Sequence, residues 1–292
     1  MSYTTGQTIL LPEATAKRRG QRTVTVAINS RDRNLAINPY SNDFRWNLRR
    51  PLKDIVSIEL LSGCLPADLY NVNTGWNQFT FGEGIIRRVL TLTPGQYTAD
   101  ALASELQIQL GTIGGSNTYT VAHSAITKKI TVTAVGPDTF TFYFASGDYV
   151  DVIEMATMSI TSINSPAHLL GFTKLDYTGS AASALVSPNR ADPDYCIKRM
   201  YLHINVDNSV ELNRVEMGVG RHECFHIIFM DSTQKDGYYF LNKDTYLPIY
   251  YSSPAPIARM AFFYISLRDE FFRLIDLGNH DFTLVFEITV LG

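Results

Sequence analysis

Cysteine, tryptophan and charge are all scarce in this chain. Three cysteines (Cys64, Cys196, Cys224) occur in 292 residues, too few and too scattered for a disulfide framework or a cysteine-rich zinc module. Their odd number leaves at least one free within a monomer, and buried thiols formed in a reducing compartment are the simplest account. Charged residues make up 18% of the chain, below the roughly 25% of an average soluble domain. A signal pattern is missing too, since Thr8-Ile9-Leu10-Leu11 is too short for the apolar core of a signal peptide. The longest apolar stretch, around Ile257 to Leu267, contains Arg259 and falls short of the roughly 18 residues that a membrane span needs. The expectation is a soluble protein made in the cytosol.

What is abundant is tyrosine and phenylalanine, 16 of each, against 2 Trp. Such a composition excludes a disordered, collagenous or coiled-coil chain. Low charge and many aromatics point to surfaces that end against other proteins, although an all-β fold raises the aromatic content by itself. The net charge of -3 conceals an asymmetry. Residues 1–53 carry ten Lys/Arg against three acids, a net of +7, which leaves -10 on the remainder. Residues 1–22 have no helical or strand period and end in Lys17-Arg18-Arg19-Gly20-Gln21-Arg22. They read as an extended basic arm, able to meet a polyanion or an acidic protein face, or else as a solvated tail.

From Thr23 onward the pattern is mostly β. Eight strands are expected: Thr23 to Ile28, Asp54 to Leu61, Gln78 to Phe81, Arg199 to Val206, His222 to Met230, Thr245 to Tyr251, Arg259 to Leu267 and Phe282 to Leu291. Phe44 to Leu48 is a further short alternating segment. Between the third and fourth strands lies an insert of different character. One helix is expected there, Ala99 to Leu110, with Thr98 as N-cap and Asp100 in the first turn. Its apolar stripe is Ala99, Leu102, Ala103, Leu106 and Leu110, and Gly111 is expected to stop it. Tyr119 to Val121, Lys129 to Thr133 and Thr139 to Phe144 read as a meander covering that stripe. Ser165 to Phe172 reads as one helical turn ending at Gly171, and Tyr177 to Ser187 with Pro188 and Pro193 as a return linker.

The expected fold class is therefore mainly β: a single eight-stranded jelly-roll sandwich with an α+β insert between the third and fourth strands. Its divisions are an arm at 1–22, a jelly roll at 23–86 and 196–292, and an inserted module with return linker at 87–195. Loops in an antiparallel sandwich alternate between its two ends, so the basic arm and the module should lie at opposite ends. Two unrelated β modules are the alternative.

One catalytic pattern occurs. His222-Glu223-Cys224-Phe225-His226 matches H-E-x-x-H, which binds zinc when both imidazoles share a helix face. The β-favouring Ile227-Ile228-Phe229-Met230 that follows argues for a strand, where the two histidines would stand about 13 Å apart. Nucleophile elbows and phosphate-binding glycine loops are absent; Gly218-Val-Gly220 reads as a turn. Acid pairs Asp192/Asp194 and Asp269/Glu270 read as solvated turns. Tyr238-Tyr239 and Tyr250-Tyr251 are the candidates for a glycan site, with packing the plainer explanation. No catalytic residue, metal or cofactor is expected.

A more distinctive order of motifs runs from Asn29-Ser-Arg-Asp-Arg-Asn34 through Asn38-Pro-Tyr-Ser-Asn-Asp-Phe44 and Pro51-Leu-Lys-Asp-Ile-Val-Ser-Ile58. It continues with Leu65-Pro66, Tyr70-Asn-Val-Asn73, Asn77-Gln-Phe-Thr-Phe81, Leu92-Thr-Pro-Gly-Gln-Tyr-Thr-Ala99 and Leu169-Leu-Gly-Phe172. Over roughly residues 23–175 this order resembles the jelly-roll minor capsid and penton proteins of nucleocytoplasmic large DNA viruses and their relatives. The resemblance implies a non-enzymatic structural protein of an icosahedral capsid, located in the virion after synthesis in the host cytoplasm. It implies partners among major and minor capsid proteins, and a homo-oligomer, a pentamer in the case of a penton. The alternatives are a cementing protein beneath the major capsomers and a glycan-binding surface or fibre module. Candidate assembly contacts are Lys17, Arg18, Arg19, Arg22, Arg45, Arg49 and Arg50; the guanidiniums of Arg45, Arg49 and Arg50 suit carboxylates of neighbouring subunits. Contact with an inner membrane or a polyanion through the arm is a further expectation.

Overall fold

The computed structural model describes residues 20–292 except 114, 155–158, 208–209, 213–214, 217–222, 231–236, 243–249, 270 and 279. The chain opens with β1 (Gln21–Asn29) and the long β2 (Asp43–Pro66). Then come β3 (Gln78–Glu83), β4 (Ile86–Thr91), α1 (Ala99–Thr112), β5 (Thr118–His123), β6 (Ile130–Val135) and β7 (Phe140–Tyr143). Short strands follow: β8 (Val152–Glu154), β9 (Ser159–Ser162), β10 (Asp176–Gly179) and β11 (Leu185–Val186). The last part holds β12 (Arg199–Val206), β13 (Val210–Glu211), β14 (Val215–Glu216), β15 (Glu223–Cys224), β16 (His226–Phe229) and β17 (Tyr238–Asn242). A second long strand, β18 (Tyr250–Arg268), and β19 (Thr283–Leu291) complete it. Among the described residues no helix is long and apolar enough to cross a membrane.

The largest sheet has the order β1-β19-β2-β18-β12-β13, with β16 paired to β12 and β17 to β2. All its pairings are antiparallel. Two strands bend it back on itself. The first part of β2 pairs with β18 (Phe44↔Ile265), whereas the second pairs with β19 (Ile58↔Ile288) and β17 (Cys64↔Phe240). Along the β2–β18 ribbon the register shifts between Ser252 and Ile257 and between Met260 and Phe262. Pro254 and Pro256 fall in the first gap, and Pro51 in the segment of β2 opposite the second. Proline offers no N–H to a ladder, so it settles where the ladder is already interrupted. The fold-back places side chains of strands that are not neighbours in contact: Phe263 of β18 stacks on Phe286 of β19 with ring centroids 5.3 Å apart, and Phe225 meets Phe286 at 6.3 Å. One core results, lined by alternate residues such as Val26, Ile28, Phe44, Ile58, Leu202, Ile204, Ile265, Leu284 and Ile288. Mainly β, with several sheets, the chain has a jelly-roll-like sandwich arrangement.

A second, separate core lies in the segment between β2 and β12. A four-stranded sheet β10-β7-β3-β4 and a three-stranded sheet β11-β6-β5 enclose it together with α1. Phenylalanine dominates there: Phe79, Phe142 and Phe144 sit 5.0 to 6.0 Å apart in edge or tilted contacts, and Phe172 lies 5.7 Å from Phe142. Each such aromatic pair contributes about 0.5–1.5 kcal/mol beyond its buried area. Helix α1 turns Leu102, Ala103, Leu106 and Leu110 inward and leaves Ile108 exposed, and the Thr98 hydroxyl accepts the N–H of Ala101 at 3.2 Å. The turn before Phe172 closes with Phe172 N–H donating to Ala167 at 2.8 Å. Gly171 has φ 82 there, and a Cβ would meet the Asn189 carbonyl at 2.5 Å, so glycine is required.

Several expectations change. Gln78 to Phe81, expected as the third strand of the sandwich, pairs with β4 and β7 instead and packs into the second core. Its place in the large sheet is taken by the first part of β2, which the sequence showed only as a short alternating segment. Tyr177 to Ser187 is not plain linker: β10 and β11 extend the two smaller sheets. Gly111 does not stop the helix, which runs on to Thr112. The strand expected from Thr245 to Tyr251 falls mostly outside the described residues, and β17 lies ahead of it.

Candidate assembly surfaces

Strand register fixes which loops share an end. Asn29 of β1 and Cys64 of β2 both pair with Thr283, so the close of β1, the start of β19 and the exit toward the second core lie together. At the other end Gln21 pairs with Leu291, and the Gly292 N–H donates to the Gly20 carbonyl. The eight steps of β1 between them span about 27 Å. Gly20 is thus remote from Pro66, where the chain leaves the large sheet.

The end near Pro66 is bound together by polar side chains from segments far apart in sequence. Arg33 donates to the carbonyls of Ser30 (2.8 Å), Asn38 (3.1 Å) and Pro39 (3.2 Å), and its guanidinium pairs with Asp281 at 2.8 Å. Ser41 donates to the His280 carbonyl (2.8 Å), Asn42 to that of Ile275 (2.6 Å), and His280 stands 3.2 Å from Asp68. On this scaffold the loop after β1 holds Leu35, Ile37 and Tyr40 outward, each more than 60% exposed. Exposed apolar side chains carried together on one loop suit contact with another protein surface.

One further cluster ties the second core to the sandwich, and another joins the two ends of the segment between β2 and β12. Asp269 is buried and accepts the N–H groups of Phe271 and Arg273, both at 2.9 Å, and the Arg273 Nε at 2.9 Å. The same guanidinium lies 4.4 Å from the Trp76 ring and donates to the Ile163 carbonyl at 2.5 Å. This corrects the reading of Asp269 as a solvated turn; Glu270 lies outside the described residues. Asn71, also buried, donates to the Tyr97 carbonyl (2.7 Å) and to Asp194 (3.1 Å), and accepts the Tyr97 N–H (2.8 Å). Asp194 and Asp192 are likewise engaged, the latter with Lys198.

The seven candidate arginines and lysines do not form one group. Lys17, Arg18 and Arg19 lie outside the described residues. Arg22, Arg49 and Arg50 are exposed at the end remote from Pro66. Arg45 stands apart, its guanidinium 3.6 Å from the Phe262 ring centre and its Nε donating to Asn47 at 3.1 Å. It lines a pocket of about 320 Å³ with Asp32, Asn34, Ile37, Asn38, Trp46 and Asn47. Lys53 and Arg259, which pair directly across β2 and β18 and are both exposed, join the remote group and were missed. Only the pairing of strands 200 residues apart reveals them. Arg33 was missed for the same reason, since its carboxylate partner is 248 residues away.

The H-E-x-x-H residues do not form a helix. Glu223–Cys224 and His226–Phe229 are strands, and His222 lies outside the described residues. Glu223 is exposed, whereas His226 is buried, and that burial lowers its pKa from the ordinary value. No group of three metal-ligating side chains occurs among the described residues. All three cysteines are free, and burial pushes the Cys224 thiol up to about 12, as an inert core thiol requires. Of the tyrosine candidates for a glycan site, Tyr238 is exposed while Tyr239 packs against the core.

Comparison of the fold gives the crystal structure of the mavirus penton protein, with a TM-score of 0.46, 10% identity, and coverage of 92% of this chain and 99% of that one. A chain of the Sputnik virophage, solved by cryo-electron microscopy, gives a TM-score of 0.34 and 9% identity over 92% of this chain and 98% of that one. No curated protein matches the sequence. Residues 14–187, more than half of the chain, match the sequence profile of the Family of unknown function (DUF5901), and the chain belongs to that family.

Proposed function

We propose that this protein is a non-enzymatic structural subunit of an icosahedral capsid, located in the virion and assembling through contacts with other capsid proteins. The observation that carries the reading is the pairing order of the large sheet. Taken as strands B to I, these are β1, the two parts of β2, β12, β16, β17, the later part of β18, and β19. Their pairings then give B-I-D-G on one face and C-H-E-F on the other, the order of an eight-stranded jelly roll. Residues 67–198 form the inserted unit in its D–E connection, a boundary earlier than the 87–195 expected from sequence. The exposed Leu35, Ile37 and Tyr40 at the same end supply apolar area for subunit contacts.

Within this class the protein is a penton, a ring of five with the module directed outward and the basic arm inward. An outward module suits a vertex, and the attachment points of arm and module are at opposite ends. The competing position is that of a cementing protein beneath the major capsomers. Native mass measurement on the purified chain separates the two. A fivefold mass is expected; a monomer or dimer at capsid-assembly concentrations would favour the cementing position. Closed particles of normal composition formed without this chain would remove the shell role altogether.

A further inference from the structure

The end of the sandwich remote from Pro66 carries five cations from three strands. Arg22 pairs with Val290, Val290 with Ile55, and Ile55 with Ile257, so β1, β19, β2 and β18 lie side by side there. Two residues beyond Ile55 and Ile257, Lys53 pairs with Arg259. Arg49 and Arg50 belong to the segment of β2 between Asn47, paired with Phe262, and Leu52, paired with Met260, where the ladder is interrupted. All five side chains are exposed, and none has an ion pair among the described residues. Among the described residues two carboxylates are near. Asp54 is exposed, and Asp207 accepts the N–H groups of Ala261 (2.9 Å) and Phe262 (3.3 Å).

Four neighbouring strands span about 15 Å, a length over which duplex nucleic acid presents about nine phosphate charges. Four of the five cations are arginines, whose planar fork takes phosphate oxygens in pairs. A membrane surface fits less well, because interfacial binding adds buried aromatic and aliphatic anchors to charge. Among the described residues near these positions, Leu291 is the large apolar side chain that is exposed, at 43%. A single strand would want aromatic platforms for its bases, and among the described residues none of the exposed tyrosines or phenylalanines belongs to this end.

We propose that this end of the sandwich binds the phosphate backbone of double-stranded nucleic acid without reading its sequence. The inference does not depend on the capsid reading, since it is tested on the purified full chain rather than on particles. Fluorescence anisotropy with a labelled 30-base-pair duplex of arbitrary sequence, at salt from 50 to 200 mM, is the measurement. The triple variant R49Q/R50Q/K53Q is expected to bind at least tenfold more weakly at 100 mM salt. Its slope of log affinity against log salt should be shallower by up to about 2.7, at about 0.9 for each phosphate no longer neutralised. R49K/R50K keeps the charge and should keep the slope. K129Q/R190Q, on the inserted unit, should leave affinity unchanged. Circular dichroism melting identifies any variant that is unfolded, in which case R22Q/R259Q replaces it. Absence of duplex binding at 50 mM salt, an unchanged slope in folded variants, or an equal loss in K129Q/R190Q would overturn the proposal. So would binding to phosphatidylserine vesicles by a chain that ignores the duplex.

Discussion

Glu83 is a carboxylate used as a structural fastener. It is buried at the end of β3, beside the glycine-rich segment that follows α1. Its oxygens accept the Asn117 N–H (2.9 Å), the Tyr119 hydroxyl (2.8 Å), and both the N–H and the hydroxyl of Ser116. Burial by itself raises its pKa, but the donors from Tyr119, Asn117 and Ser116 outweigh burial and hold the carboxyl below its ordinary value. The linked stability is therefore present above the unfolded pKa, near 4.3, and is lost as pH falls through the lower folded value. Glu83→Gln turns an acceptor-only group into one that also presents N–H toward N–H, with an expected cost of about 1–3 kcal/mol at pH 7. Thermal melts from pH 7 down to pH 3 should show the gap between wild type and variant narrowing below pH 4; a gap constant with pH would remove the carboxylate from this role. None of this is legible in sequence, where Glu83 is one acid in a Gly-Glu-Gly turn. Its donors arrive from the far side of a helix and its side chain is satisfied only after the second core has closed.

At the level of elements, the two long strands and the segment between β18 and β19 set the geometry. Sequence reading divides β2 and β18 at their prolines and charges, because local pattern treats Pro51 or Pro254 as a boundary. The structure carries both strands through those positions with a register shift, so a single pair of strands joins both faces of the sandwich. Helix α1, by contrast, was readable almost to the residue: its cap, apolar stripe and first-turn acid all lie within one segment. The loop that fastens the second core is the opposite case. Arg273 reaches Asp269, the Ile163 carbonyl and Trp76 at once. Arg273→Ala removes the cation that faces a buried carboxylate, and a loss of about 1–3 kcal/mol is expected. Proteolysis in the 269–282 segment should accelerate as the unit loosens. Arg273→Lys retains charge without the fork and should recover only part of the loss. A variant as stable and as protease-resistant as wild type would show that the inserted unit is held by apolar packing alone.

The described residues form two large cores and two unlike ends. One end gathers the loops beside Pro66, the attachment of the segment that holds the second core and the exposed Leu35, Ile37 and Tyr40; the other gathers exposed cations. Removal of residues 1–22 should leave the domain folded, because both cores are built from later residues. The same deletion is expected to lower particle yield in a reconstituted assembly; normal yield from the truncated chain would exclude an assembly role for the arm.

The sequence by itself determined the class of structure and the sign of each region. Period-two apolar runs, the capped helix and the turn that ends at Gly171 are set by interactions within a few residues, and the +7 start is simple counting. Tertiary structure alone decided which strands belong to which sheet, moving Gln78–Glu83 into the second core and the first part of β2 into the sandwich. It alone placed Lys53 and Arg259 beside Arg49 and Arg50, and Arg45 away from them. The reason is physical. A strand's own pattern says which face is apolar, but its partner is chosen by closing loops of more than two hundred residues, and that choice rests on the fit of a whole core.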